Sequence, residues 1–151
     1  MARGTHFSGP LYVTDRQLTN STGYVTDDAL EETVLRYAEV SLTNAEIKAL
    51  RATPKTLVAA PGTGKVIEFV SAQLYLDYGS NALTESADNL VVRRTDGSGT
   101  IVSQTIEATG FIDQTADTCT NALAKIDVIE AKTAAENKAL VLHNTGDGEY
   151  G

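Results

Sequence analysis

The sequence predicts an all-β domain, a sandwich or barrel with one short capped helix, preceded by an extended N-terminal arm. Three observations carry this prediction. From residue 33 onward, short β-branched and aromatic runs alternate with clusters of Gly, Pro, Asn and Asp. One helix-start signature stands out, Thr43-Asn44-Ala45-Glu46. Residues 1–32, by contrast, are polar and rich in Thr, Ser, Asn and Gly, and their few apolar side chains follow no period.

The composition bounds the answer. The chain has 151 residues, 42% hydrophobic and 21% charged, which is ordinary for a globular domain and argues against wholesale disorder. That length suits one domain with an arm. The formal net charge is -8 and the pI about 4.6. A nucleic-acid binder needs a basic surface to displace counterions, so no nucleic-acid partner is expected. Attraction to anionic membranes is disfavoured for the same reason. No apolar run approaches the roughly 18 residues of a membrane span, and the first ten residues lack the apolar stretch of a secretory signal. Folding in a cytosol is therefore expected.

In chain order, residues 1–32 form the arm. Phe7, Leu11, Tyr12 and Val13 are isolated apolar side chains in a polar stretch that cannot offset its own ordering entropy. They are the candidate contacts with a neighbouring surface. A strand is expected over 34–42. Thr43 and Glu46 then form a capping box, with Ile47 and Leu50 on one face, so a helix over 44–50 should end before Thr53-Pro54. A strand at 56–60 leads to a turn at Pro61-Gly62-Thr63-Gly64. The long run 65–78 puts Val66, Val70, Ala72, Leu74, Leu76 and Tyr78 on one parity and Ile67 and Phe69 on the other. That conflict predicts a bulge or two-sided burial near 67–70. A strand at 90–94, a turn at Asp96-Gly97-Ser98-Gly99 and a strand at 100–108 read as a hairpin. Residues 109–124 read as loop, helical in character over 115–124. Two last strands are expected at 126–131 and 139–144, with a plain connection over 133–138. Residues 145–151 read as a turn leading nowhere, so a further strand is expected to follow or to come from a neighbour. The total is seven strands.

No catalytic constellation emerges. Ala60-Pro61-Gly62-Thr63-Gly64-Lys65 invites comparison with a phosphate loop, but Ala59 replaces the first Gly and Val66 the magnesium-binding hydroxyl. A plain turn is expected. His6 and His143 have no metal-ligand spacing, and Cys119 has no partner Cys for a disulfide and no nearby His. A loop calcium site on Asp113, Asp117 or Asp147 is a minor reading beside solvated charge. Arg93 and Arg94 fall on opposite faces of one strand, and a charged edge is the expected role. No cofactor and no metal are expected.

The stretch Thr43-Asn44-Ala45-Glu46-Ile47-Lys48-Ala49-Leu50, with 56–69 after it, resembles the head decoration or cement proteins of tailed bacteriophages. Leu74-Tyr75-Leu76-Asp77-Tyr78-Gly79 and the run 137–148 fit the same picture. The opening Gly4-Thr5-His6-Phe7-Ser8-Gly9-Pro10 is similar to an arm at such N-termini. The resemblance covers about residues 38–151. It implies a jelly-roll-like β sandwich over 33–151, a homotrimer, and attachment to the major capsid protein on the outside of a virion made in a host cytoplasm. It also implies a non-catalytic role in stabilising the shell. A low-copy tail, collar or fibre-base adaptor and a carbohydrate-binding module are the rival readings. The absence of Trp weakens the latter, because sugars stack on aromatic faces.

Overall fold

The computed structural model describes residues 18–20, 23–25, 37–85, 88–146 and 148–151. The chain divides into two units, residues 1–37 and 38–151. In the first, β1 (Leu18–Asn20) and β2 (Gly23–Val25) form an antiparallel hairpin with Thr19 opposite Tyr24. The arm residues Phe7, Leu11, Tyr12 and Val13 lie outside the described residues.

The second unit is mostly strand in antiparallel sheets, consistent with an all-β fold. It opens on α1 (Asn44–Lys48), whose cap is as the sequence predicts. The Thr43 hydroxyl accepts from the Glu46 amide at 3.3 Å, and the Thr43 amide donates to the Glu46 carboxylate at 2.8 Å. Lys55 pairs with the other carboxylate oxygen of Glu46. That pairing, with the Thr43 bonds, pulls the Glu46 carboxyl down to about 2.

Three strands follow the order β3-β7-β5: Lys55–Val58, Leu140–Asn144 and Leu90–Arg94. Val92 sits opposite Leu142 and Arg94 opposite Leu140. Both β5 and β7 are buried along nearly their whole length. Unlike strands with one wet face, they read as continuous apolar runs, Leu90-Val91-Val92 and Leu140-Val141-Leu142. Past the turn at 96–99 the chain returns beside β5, with Ile106 and Leu90 exchanging backbone hydrogen bonds at 2.8 and 2.9 Å. Residues 100–108, expected as a strand, form no continuous one; isolated bridges at Ile101, Ser103 and Ile106 hold the segment in place. Ser103 also bridges Ala124, which joins it to the second sheet, β4 (Ser71–Leu76) with β6 (Thr118–Leu123).

The core gathers Leu90, Val92, Val102, Ile106, Phe111, Ile112, Leu140 and Leu142, with Leu50 from the end of the helical segment. Ala72, Leu74 and Leu76 of β4 pack against it, as do Ile67 and Phe69. The inward side thus switches parity across Val70 and Ser71, which are both exposed. Residues 65–70 lie outside the paired strand β4, so the two parities need not share one face. Val66 and Val70 are half exposed, apart from Ala72, Leu74 and Leu76 whose parity they share.

Several expectations need correction. Residues 37–42 form no strand, and 34–36 lie outside the described residues; β-branched composition does not make a strand without a neighbour to pair with. Residues 118–123 are β6 rather than helix or loop, because each pairs in register with β4. Residues 126–131 are not a strand: Asp127 takes φ +64° and turns the chain out of the sheet. The connection contains a short helix, α2 (Lys132–Ala135). Arg94 is no edge charge. β5 is bridged on both sides, and Arg94 is buried, donating to Glu130 at 2.8 Å and to the Ile67 carbonyl at 3.0 Å.

The end of the chain also departs from the expected idle turn. Tyr150 is 2% exposed and belongs to the core. Its hydroxyl donates to the Asp88 carbonyl at 2.7 Å. Gly151 and Thr84 exchange backbone hydrogen bonds at 2.9 and 3.3 Å. The Glu149 carboxylate accepts from the amides of Arg51 and Ala52 at 3.1 and 2.8 Å. Gly146 permits this return, since a Cβ there would fall 1.2 Å from an Asp88 carboxylate oxygen.

Candidate docking surface

The residues that could do chemistry are largely engaged in structure. In the Pro-Gly turn, the Gly62 amide donates to the Asn137 side chain at 2.9 Å and the Gly64 amide to the Glu136 carboxylate at 2.7 Å. Amides that a phosphate would need are satisfied from within, and a carboxylate stands where the anion would sit. Asp113 accepts from the Gly110 amide at 2.7 Å, and Asp117 accepts from the Tyr78 amide at 3.0 Å. Each fastens its own loop. Asp147 and His6 lie outside the described residues. No three His, Cys, Asp or Glu side chains gather as metal ligands among the described residues. No helix among them is long and apolar enough to cross a membrane.

His143 is buried on β7, its ring 3.4 Å from the Arg93 guanidinium. Arg93 in turn donates to the Gly97 and Gly99 carbonyls and ties the turn down. Gly97 is required here, because a Cβ would stand 2.7 Å from the imidazole. Burial, then the neighbouring charges of Arg93 and Arg51, hold the imidazole below its ordinary value. This cluster is a structural lock on the turn.

The surface with binding character lies on the other sheet. Strands alternate their side chains, so β4 directs Ser71, Gln73 and Tyr75 away from the core while Ala72, Leu74 and Leu76 face it. Opposite them in register stand Leu123, Asn121 and Cys119 of β6, also exposed. None of these six is an Asp, Glu, Lys, Arg or His, on a chain whose formal charge is -8. Gln104, Gln73 and Asn121 line a shallow depression of about 460 Å³ on this side. The thiol of Cys119 is exposed beside Tyr75, rather than in a loop or at a core edge.

The apolar character continues past the strand ends. Val66 and Val70 are half exposed before β4, while Ile126 is 75% and Ile129 96% exposed after β6. The two segments are neighbours: the Ala124 amide donates to the Val70 carbonyl at 3.1 Å, and Arg94 joins the Ile67 carbonyl to Glu130. The sequence placed Ile126 and Ile129 in a strand, so their exposure was missed. Asp127 was the available signal, since Asp tolerates the left-handed conformation that ends a strand. Compared with known protein families, with curated proteins and with solved structures, the chain matches none.

Proposed function

We propose that this chain is a non-catalytic decoration or cement protein of a tailed-bacteriophage virion. It acts as a homotrimer on the outer face of the major capsid protein and stabilises the shell. Its 33–151 region is read as a jelly-roll-like β sandwich. The observation that carries the proposal is the uncharged outer face of β4 and β6, continued by exposed Val and Ile side chains. Large apolar side chains left together on a surface are the usual mark of a site for protein contact. The resemblance adds its weight at the capped helix, the strand and the Pro-Gly turn of 43–64. The arm, through Phe7, Leu11, Tyr12 and Val13, supplies further contact whose ordering cost is offset by docking at many repeated sites.

The test is the copy number of this protein relative to the major capsid protein in purified particles, by quantitative mass spectrometry. A ratio of one per capsid subunit, or a simple fraction of it, supports decoration. A few copies per particle would transfer the reading to a tail, collar or fibre-base adaptor. Absence from particles overturns both. Deleting residues 1–28 should abolish particle binding while the β body stays folded; unchanged binding would refute the role of the arm.

A further inference from the structure

We infer that the turn at 96–99 is an acid-operated latch, released when His143 takes up a proton against the Arg93 guanidinium. His143 lies on β7 opposite Val91 of β5, so Arg93, two residues along β5, is its diagonal neighbour on the same face. The His143 Nδ1 stands 3.4 Å from a terminal nitrogen of Arg93. A guanidinium has donors only and stays charged throughout, so this contact needs a bare Nδ1 that accepts. Protonation puts a hydrogen on both ring nitrogens, and the contact becomes donor against donor between two positive charges. The ring has no room to turn aside. It is 6% exposed, and Gly97 passes so close to Nε2 that only a glycine fits. Arg93, half-buried, is the member that can yield. The terminal nitrogen that meets His143 also donates to the Gly97 carbonyl, and Arg93 Nε donates to the Gly99 carbonyl at 3.0 Å. When Arg93 withdraws, both carbonyls lose their donor and the turn opens, while β5 stays paired with β7. The turn thus has two states, and the proton on His143 selects between them.

The other charges around the ring fix the sign. Arg51, just past α1, adds a second like charge, whereas its backbone and the Glu149 carboxylate of the tail favour the protonated ring. Burial and the two guanidinium charges outweigh them and hold the imidazole below its ordinary value. Asp96 acts on Arg93 from the turn itself. Hydrogen bonds from the Ser98 hydroxyl and amide, at 2.7 and 2.8 Å, lower the Asp96 carboxyl, so it stays ionised at mildly acid pH. The proton that opens the latch is therefore the one on His143. The inference goes beyond the virion reading and is tested on the purified chain alone.

The experiment is nuclear magnetic resonance on the full chain from neutral to mildly acid pH. It follows the titration of the His143 ring together with hydrogen exchange at Arg93 Nε–H and the Gly99 amide. Exchange is expressed as protection, which removes its intrinsic pH dependence. Protection of both groups should fall by up to about tenfold per pH unit over the range in which His143 charges. The Val92 and Leu142 amides, in the buried middle of the same sheet, should keep theirs. His143→Gln, neutral at every pH, should hold the turn closed throughout. Arg93→Gln should leave the turn open at every pH and let His143 titrate higher. Loosening of His143→Gln with the wild-type pH profile overturns the inference, since another group would then hold the proton. A His143 titration that leaves Arg93 Nε–H protected also overturns it. So does joint loss of protection at the turn, Val92 and Leu142, because the domain would then be unfolding as a whole. These wild-type measurements decide the matter even where His143→Gln does not fold.

Discussion

Truncating Tyr150 tests whether the last residues belong to the folding unit. Its ring is buried in the core and its hydroxyl donates to the Asp88 carbonyl. Tyr150→Phe keeps the ring and deprives a buried carbonyl of this donor, at a cost of about 1–2 kcal/mol. Tyr150→Ala also empties an aromatic volume and should cost about 3–5 kcal/mol. A chain near this size loses roughly 2–4 °C of Tm per kcal/mol. The first variant should therefore melt a few degrees early and the second on the order of 10 °C early. The assay is urea unfolding by circular dichroism, with the m-value held as the check on two-state behaviour. Burial, then the charges of Asp88, Glu85 and Glu149, push the phenol well above its ordinary value of 10. The unfolded chain thus gives up this proton first as pH rises, so stability is full below about 10 and is lost above it. Tyr150→Phe should flatten that alkaline loss. If Tyr150→Ala unfolds within about 1 kcal/mol of the wild type, the tail is not part of the core.

Two further perturbations probe the lock and the brace. His143 is held below its unfolded value, so the unfolded chain takes up the proton first; stability should be full above about pH 6.5 and fall as pH drops below it. Urea midpoints measured from neutral to mildly acid pH should show this decline, and His143→Gln should reduce it. Arg94→Met strands the Glu130 carboxylate in a site where both partners are largely buried, and should cost about 3–5 kcal/mol. Arg94→Met with Glu130→Leu should recover much of that loss in the same urea titration, because the desolvated charge goes with its partner.

What the sequence made legible was local chemistry. The Thr43–Glu46 capping box needs only residues three apart, and it forms as read. The strands over 90–94 and 140–144 were legible because burial on both faces leaves an unbroken apolar run. What it hid was set by pairing at a distance. Thr118-Cys119-Thr120-Asn121 carries a weak strand signal and becomes β6 because β4, over forty residues earlier, offers an edge in register. The run 126–131 carries a strong strand signal and stays unpaired, because Asp127 directs it away from every edge. Tyr150 was illegible for the same reason: its burial depends on Gly146 letting the tail pass beside Asp88.

The two sheets divide labour in a way that bears on where binding can occur. β5 and β7 are covered on both faces, and their charged or polar members, Arg93, Arg94, His143 and Asn144, are spent on internal ties. A docking contact there would have to unmake the core. β4 and β6 are covered on one face alone. Their outer face can change without disturbing the inner one, since alternate side chains along a strand belong to different surfaces. Tyr75→Asp should therefore leave unfolding in urea near the wild-type curve while abolishing any contact made by this face. Leu74→Asp, one residue away and turned inward, should unfold the domain. If Tyr75→Asp proved as destabilising as Leu74→Asp, the outer face would be core in the functional state, and the separation between scaffold and surface would fail.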